Sequence, residues 1–347
     1  MIGIVLSEKK IKDREDDYYS FYCKLAKENH VDVCFYSIQK IDMKKLTVDG
    51  YVYDHKKDLI REEVVSIPHI NLYKCNSSIF NKRQREKIET LQKEKNRTFF
   101  NACSIKERDK YDDHMYLKQF PSIRKHLLKT RPLSYKTLSR LLREYGFVFI
   151  KRRRSKKGNN IYTLERKEKN IIIKFYNKQA VQLLEIPKSE LEKFCNRTFP
   201  KPEKFYVQQG VDLKRVTNKK FDVRVSPQKY PGDFWKVTGA IGRLGKENWD
   251  VTNLDQGGIT INSLKKIISK RTKKELYRLS KDIAEKLADK SSNFIEFGLD
   301  FAIDEQENIW FLEANFQPYR KNIWVYRNKI PFRYVCSIYK NNTALRY

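Results

Sequence analysis

The sequence predicts a chain of mixed class, an α/β unit at the N-terminus followed by α+β units, and three observations predict it. Ile2–Leu6 is a short apolar run, Asp16–Asn29 places Tyr19, Tyr22, Cys23 and Ala26 on one helical face, and Val31–Tyr36 is rich in β-formers, which together begin a strand–helix–strand unit. The C-terminal half holds short apolar runs between turn-like segments, and among them one helix with an apolar stripe of Leu276, Leu279, Ile283 and Leu287. A hydrophobic content of 40%, with 13% aromatic residues in a chain of 347, excludes a disordered or collagen-like protein.

The elements follow in order. Tyr51–Tyr53 and Val64–Ile67 read as extended, because Pro68 disfavours a helix before it, and Asn81–Asn96 reads as a charged, exposed helix. A boundary falls at Phe99–Ser104, and Lys106–Lys129 is expected to be helical up to Pro132. Thr137–Glu144 is a helix stopped by Gly146, Phe147–Ile150 is a strand, and Ile161–Leu164 pairs with Ile171–Tyr176 across a turn. Lys188–Phe194 is a short helix before Pro200 and Pro202. The strands Phe205–Gln209, Phe221–Ser226, Trp235–Arg243, Phe294–Ile303 and Ile309–Ala314 make up the last unit. The expected organisation is an N-terminal domain over 1–104, a central unit over 105–204, a C-terminal unit over 205–330 and an aromatic, basic tail over 331–347.

Charge narrows the partner. Seventy-three Lys and Arg against forty-three Asp and Glu leave +30, a surface that favours nucleotides, nucleic acids, acidic peptides or anionic polymers. Six cysteines show no Cys-x-x-Cys or zinc spacing, and the five histidines form no metal pattern. No apolar run is long enough to cross a bilayer, and the start lacks a secretory pattern, so reduced thiols in the cytoplasm are expected.

Chemistry concentrates in two late strands, Gly298-Leu299-Asp300 and Trp310–Asn315. Alternation puts Glu313 and Asn315 on one face, with Leu312 and Ala314 on the other. Asp300 joins the first face if a four-residue loop such as Glu305–Asn308 pairs it with Glu313. Three hard oxygen donors would then suit Mg²⁺ rather than zinc; an ordinary hairpin with a solvated polar face fits these residues equally well.

Further segments extend the pattern: Arg108-Asp109-Lys110, Lys151 at a strand end before a glycine-bearing loop, Gln208-Gln209-Gly210-Val211, Asp222-Val223-Arg224, Gly242-Arg243, and Thr252-Asn253-Leu254-Asp255-Gln256-Gly257-Gly258. In this order the set resembles the ATP-grasp superfamily, and within it the YheC/YheD spore-coat-associated branch, with kinship to RimK-type carboxylate–amine ligases. The resemblance runs from Ile2 to about Pro318. It implies an ATP-grasp fold preceded by a pre-ATP-grasp α/β domain, with ATP and Mg²⁺ as cofactors.

The resemblance also implies roles. Lys110 and Lys151 match phosphate-contacting lysines, and Gln208, Gln209, Gly210 and Val211 match the hinge along adenine, with Asp212 the candidate for the ribose. Asp300, Glu313 and Asn315 match the metal ligands. Arg224 and Arg243 match the arginines facing the γ-phosphate and the acyl phosphate, with Asn253 in the loop beside them. The implied activity couples a carboxylate, on an acidic peptide or other anionic substrate, to an amine and releases ADP and phosphate. The sequence departs from the pattern at Arg152, where proline is usual, in the glycine-poor Lys156–Asn160 loop, and at Phe316–Tyr319, where smaller residues are common. Two other readings stay open: a non-catalytic, coat-associated binding protein, and a nucleic-acid binder using the basic run Lys151–Lys157. Spore association rests on the resemblance alone, and oligomeric state is not legible.

Overall fold

A computed structural model describes the chain except residues 13–16, 76–81, 103–108, 155–160, 178–179, 248, 253–256, 262, 291–292, 317–323 and 345–347. Its strands form three sheets; the first packs an apolar core on each face, and the other two gather one each.

The first sheet has seven strands. Ile2–Val5 lies parallel to both Val33–Tyr36 and Ile70–Tyr73, and Thr98–Phe100 adds in parallel beside the latter. All four residues of Ile2–Val5 are buried, as helices on both faces of a parallel sheet require. Asp17–Asn29 supplies Tyr22, Leu25 and Ala26 to one core, and Lys82–Glu94 supplies Ile88 and Leu91 to the other. On the far side Thr47–Asp54 and Leu59–Ser66 form an antiparallel hairpin.

Residues 331–344, read from the sequence as a tail, are instead the larger part of a helix, Trp324–Ala344. It returns to the first sheet and buries Phe332, Val335 and Cys336 there, with the Phe332 ring 5.5 Å from that of Tyr22. Its Pro331 stands inside the helix, and Phe332, Val335, Cys336 and Tyr339, spaced three and four residues apart, make the face turned to that core.

The second sheet is antiparallel, in the order Ala180–Pro187, Asn170–Asn177, Ile161–Arg166, Phe147–Arg152, Phe205–Gln209, Thr130–Pro132. Helix Tyr135–Tyr145 starts at a reciprocal Ser134/Thr137 cap and ends at Gly146, whose φ of 70° suits a residue without Cβ. It packs Leu138, Leu141 and Leu142 on this sheet together with helix Leu191–Thr198. Strand Ala180–Pro187, exposed along most of its length, carried no alternation for the sequence to reveal.

The third sheet runs Ile259–Ile261, Phe234–Leu244, Lys219–Tyr230, Gly298–Ile303, Ile309–Asn315. Helix Lys270–Asp289 covers it with the expected stripe, each of Leu276, Leu279, Ile283 and Leu287 fully buried. The expected helix over 106–129 is two pieces, Lys110–Leu117 and Pro121–Arg124, broken at Pro121. Leu117 and Ile123 pack into the third core rather than the second, so this segment binds the two units together. Among the described residues no helix is long and apolar enough to cross a membrane.

Candidate functional site

The second and third sheets face each other across a cleft of about 840 Å³, its open mouth included. Strand Phe147–Arg152 sends in Phe149 and Lys151, and its neighbour Phe205–Gln209 sends in Gln208 and Gln209. From the opposite sheet come Asp222, Arg243, Asp300, Leu312 and Glu313, and helix Lys110–Leu117 brings its first residue. Leu128, Ile161, Val211, Leu213 and Ala302 make the rest of the wall largely apolar.

Asp300 and Glu313 do stand opposite each other. The loop between their strands has five residues rather than four, and on that count alone Asp300 would oppose Leu312. Ile303 pairs with Ile309, but a bulge between Asp300 and Phe301 shifts the register by one and brings Glu313 opposite Asp300. One consequence corrects the simple alternation: Leu312 lines the cleft beside Glu313 instead of facing away.

Cations meet these carboxylates on every side. Lys110 Nζ lies 2.6 Å from Glu313. Arg224, the cross-strand neighbour of Asp300, donates to both its oxygens at 2.5 and 2.6 Å. Arg243 does the same to Asp222 at 2.7 and 2.5 Å and lies 3.1 Å from Asp300. Thr252 Oγ donates to Asp222 as well. Lys151 Nζ donates to the Gln208 side chain at 2.7 Å, and Gln208 in turn donates to Thr130 Oγ at 3.2 Å.

Burial and charge act against each other here. Burial pushes the Lys151 ammonium down to about 8, aided by Lys110 and opposed by Glu313, Asp300 and Asp222. Burial would raise the Glu313 carboxyl, but the charge and hydrogen bond of Lys110, followed by Lys151 and Arg224, hold it at about 2. Burial likewise disfavours a charged Arg243, yet Asp222 and Asp300 hold it protonated.

The sequence-derived site residues fare unequally. Lys110, Lys151, Gln208, Gln209, Val211, Arg243, Asp300 and Glu313 all line one cleft. Arg224 reaches it through Asp300 and is not part of the wall. Gly210 stands behind the wall, where an added Cβ would come within 2.1 Å of the Phe147 ring, and Asp212 is exposed outside it. Asn315 aims its amide nitrogen at both Asp300 and Glu313, 3.4 Å from each. Asn253 lies outside the described residues.

The donor set fits a hard divalent cation: two carboxylates on adjacent strands and one amide, with no sulfur or imidazole. Asn315 would have to turn its amide over to offer oxygen. Elsewhere Asp32, Asp54 and His55 bring ligand atoms within 4.8 Å, but His55 Nδ1 is bonded to Asp32 and Asp54 to two backbone amides. The basic run is partly neutralised, since Arg153 bonds to Asp109 and Asp112 and Arg154 lies 3.5 Å from Asp109.

Sequence reasoning missed Asp222, Asp250 and Thr252 as wall residues. Asp222 was visible only as sharing a strand face with Arg224, and its cross-strand partner Arg243 could not be assigned without the register.

Two sheets enclosing such a cleft are the ATP-grasp fold. D-alanyl-alanine synthetase A from Vibrio cholerae superposes with a TM-score of 0.55 at 12% identity, over 98% of this chain and 96% of its own. The D-alanine–D-alanine ligase of Coxiella burnetii gives 0.54 at 11%, over 100% and 96%. A RiPP-associated ATP-grasp ligase of Chryseobacterium gregarium, in complex with ADP and a leader and core peptide, gives 0.54 at 8%, over 99% and 97%. Within that fold, residues 96–329 match the model of YheC/D-like ATP-grasp proteins, and the chain belongs to that family. It is 27% identical over 341 residues to the endospore coat-associated protein YheD of Bacillus subtilis, covering 90% of this chain and 70% of the relative.

Proposed function

We propose that the chain is an ATP-dependent carboxylate–amine ligase that works through an acyl phosphate. The observation carrying this reading is the cleft itself, where Lys110, Lys151 and Arg243 converge with Asp300 and Glu313 beside an apolar slot. Leu128, Phe149, Val211 and Leu312 offer a slot for adenine, edged by Gln208 and Gln209. Lys110 and Lys151 would meet phosphate oxygens, each close pair being worth about 4 kcal/mol at an effective dielectric near 20. Asp300, Glu313 and Asn315 would hold Mg²⁺, which when bound neutralises phosphate charge.

Chemistry then needs no side-chain nucleophile. A substrate carboxylate attacks the γ-phosphorus, the bond to ADP breaks, and an acyl phosphate forms. An amine attacks the acyl carbon, loses a proton and expels phosphate, giving an amide. Arg243 stabilises charge on the transferring group and the later oxyanion, Arg224 fixes Asp300, and the apolar wall excludes water. An acidic peptide or polymer is the carboxylate substrate best matched to a net charge of +30.

Release of ADP and phosphate dependent on both substrates tests the proposal, with amino acids and acidic peptides screened as pairs. AMP and pyrophosphate in place of ADP and phosphate would overturn it. A second reading is favoured by the name of the 27% identical relative: a coat-associated protein that binds nucleotide without turnover, made in the cytoplasm and deposited on the spore. Tight Mg²⁺–ATP binding with no product from any pair would support that reading instead.

A further inference from the structure

After strand Phe234–Leu244 the chain turns back on itself at Gly245. Gly245 N donates to Lys220 O, and a Cβ at Gly245 would come within 2.5 Å of Val251 O, so the chain doubles over tightly here. This turn delivers Asp250, Val251 and Thr252 to the cleft wall. Asp250 is 9% exposed and takes donors from both sheets. Lys220 of strand Lys219–Tyr230 donates to Oδ1 at 2.7 Å. From strand Asn170–Asn177, Lys174 at 3.0 Å and the Tyr176 hydroxyl at 2.5 Å donate to Oδ2, which Thr163 approaches at 3.4 Å from the next strand. The Tyr176 hydroxyl also accepts from Asp250 N at 3.2 Å.

We propose that Asp250 is a positioning residue that clasps the central sheet to the C-terminal sheet and thereby sets the cleft's charged wall. Two features separate it from an ordinary surface ion pair. Its carboxylate is the shared partner of Lys174 and Lys220, which belong to different sheets, so removing it turns two attractions into one repulsion between them. Two residues further on, Thr252 donates to Asp222, which grips Arg243, which in turn lies beside Asp300. A shift of the clasp therefore reaches the arginine and the carboxylate through two residues of backbone, the hydrogen bonds at Asp222 and the Arg243–Asp300 ion pair.

The inference rests on the nucleotide reading only for one of its readouts. Spin labels on exposed Lys167, in the turn after strand Ile161–Arg166 of the second sheet, and exposed Lys281 of the helix covering the third, both changed to Cys in an otherwise Cys-free chain, report the distance between the two units without any ligand. Asp250→Asn should broaden or lengthen that distribution, while Asp250→Glu, which keeps the charge, restores much of it. Affinity for ADP should fall about tenfold in Asp250→Asn. Lys174→Met and Lys220→Met should each weaken ADP binding alone, and neither should weaken it further once Asp250 is Asn. An unchanged distance distribution, or lysine effects that simply add in the Asp250→Asn background, would overturn the clasp. Should the parent protein fail to bind ADP, the nucleotide reading falls and the distance measurement still decides the clasp.

Discussion

Nucleotide affinity is expected to fall as pH rises through about 8, because burial holds the Lys151 ammonium there. Phosphate recognition needs the charged form. With half of Lys151 charged at pH 8 and about a tenth at pH 9, Kd should weaken about twofold at pH 8 and about tenfold at pH 9 relative to pH 7. A bound polyphosphate favours the ammonium, so at pH 8.5 binding should take up a proton. Calorimetry in two buffers of different ionisation enthalpy measures that uptake directly. In Lys151→Arg the guanidinium stays charged throughout, and both the pH dependence and the uptake should disappear. Because the folded value lies below the ordinary 10.5, the folded chain binds fewer protons than the unfolded one between about 8 and 10.5. Stability should therefore rise with pH across that window while affinity falls. A Kd constant from pH 7 to 9, with no buffer dependence, would refute the reasoning.

Other expectations follow from the same structure. Glu313→Ala should abolish the Mg²⁺ dependence of ATP-analogue binding, and calorimetry showing that dependence intact would remove the metal assignment. Arg243→Ala should lower turnover by about a hundredfold or more, as loss of a transition-state donor does, with nucleotide affinity changed much less. Burial pushes the Asp113 carboxyl up to about 6 despite its 2.8 Å contact with Lys290. The folded chain thus binds more protons there and loses stability as pH rises through roughly 4 to 6, so Asp113→Asn should stabilise at pH 8, by up to about 3 kcal/mol, and not at pH 4. Gly210→Ala should cost about 1–3 kcal/mol in denaturant melts, since the new methyl meets the Phe147 ring and backbone. If a basic surface steers an anionic substrate, kcat/KM should fall steeply with salt, and a flat profile would leave the charge of +30 without that role.

The sequence by itself determined the elements whose side chains repeat with a period. The stripe Leu276, Leu279, Ile283, Leu287 specified its helix, Gly146 ended another at the residue expected, and the late strands announced a hairpin carrying Asp300 and Glu313. Such signals are local, because backbone geometry alone sets which residues share a face. The same periodicity misplaced Leu312, since a bulge is a compromise between two strands and belongs to neither sequence. Only the tertiary structure decided that Arg243 grips Asp222 and that Asp250 joins lysines 46 residues apart, for those partners come from register and sheet-to-sheet packing. It also decided that the last helix closes the first core: Phe332, Val335 and Cys336 repeat at helical spacing, but the partners they find, Tyr22 and its neighbours about three hundred residues earlier, follow only from tertiary packing.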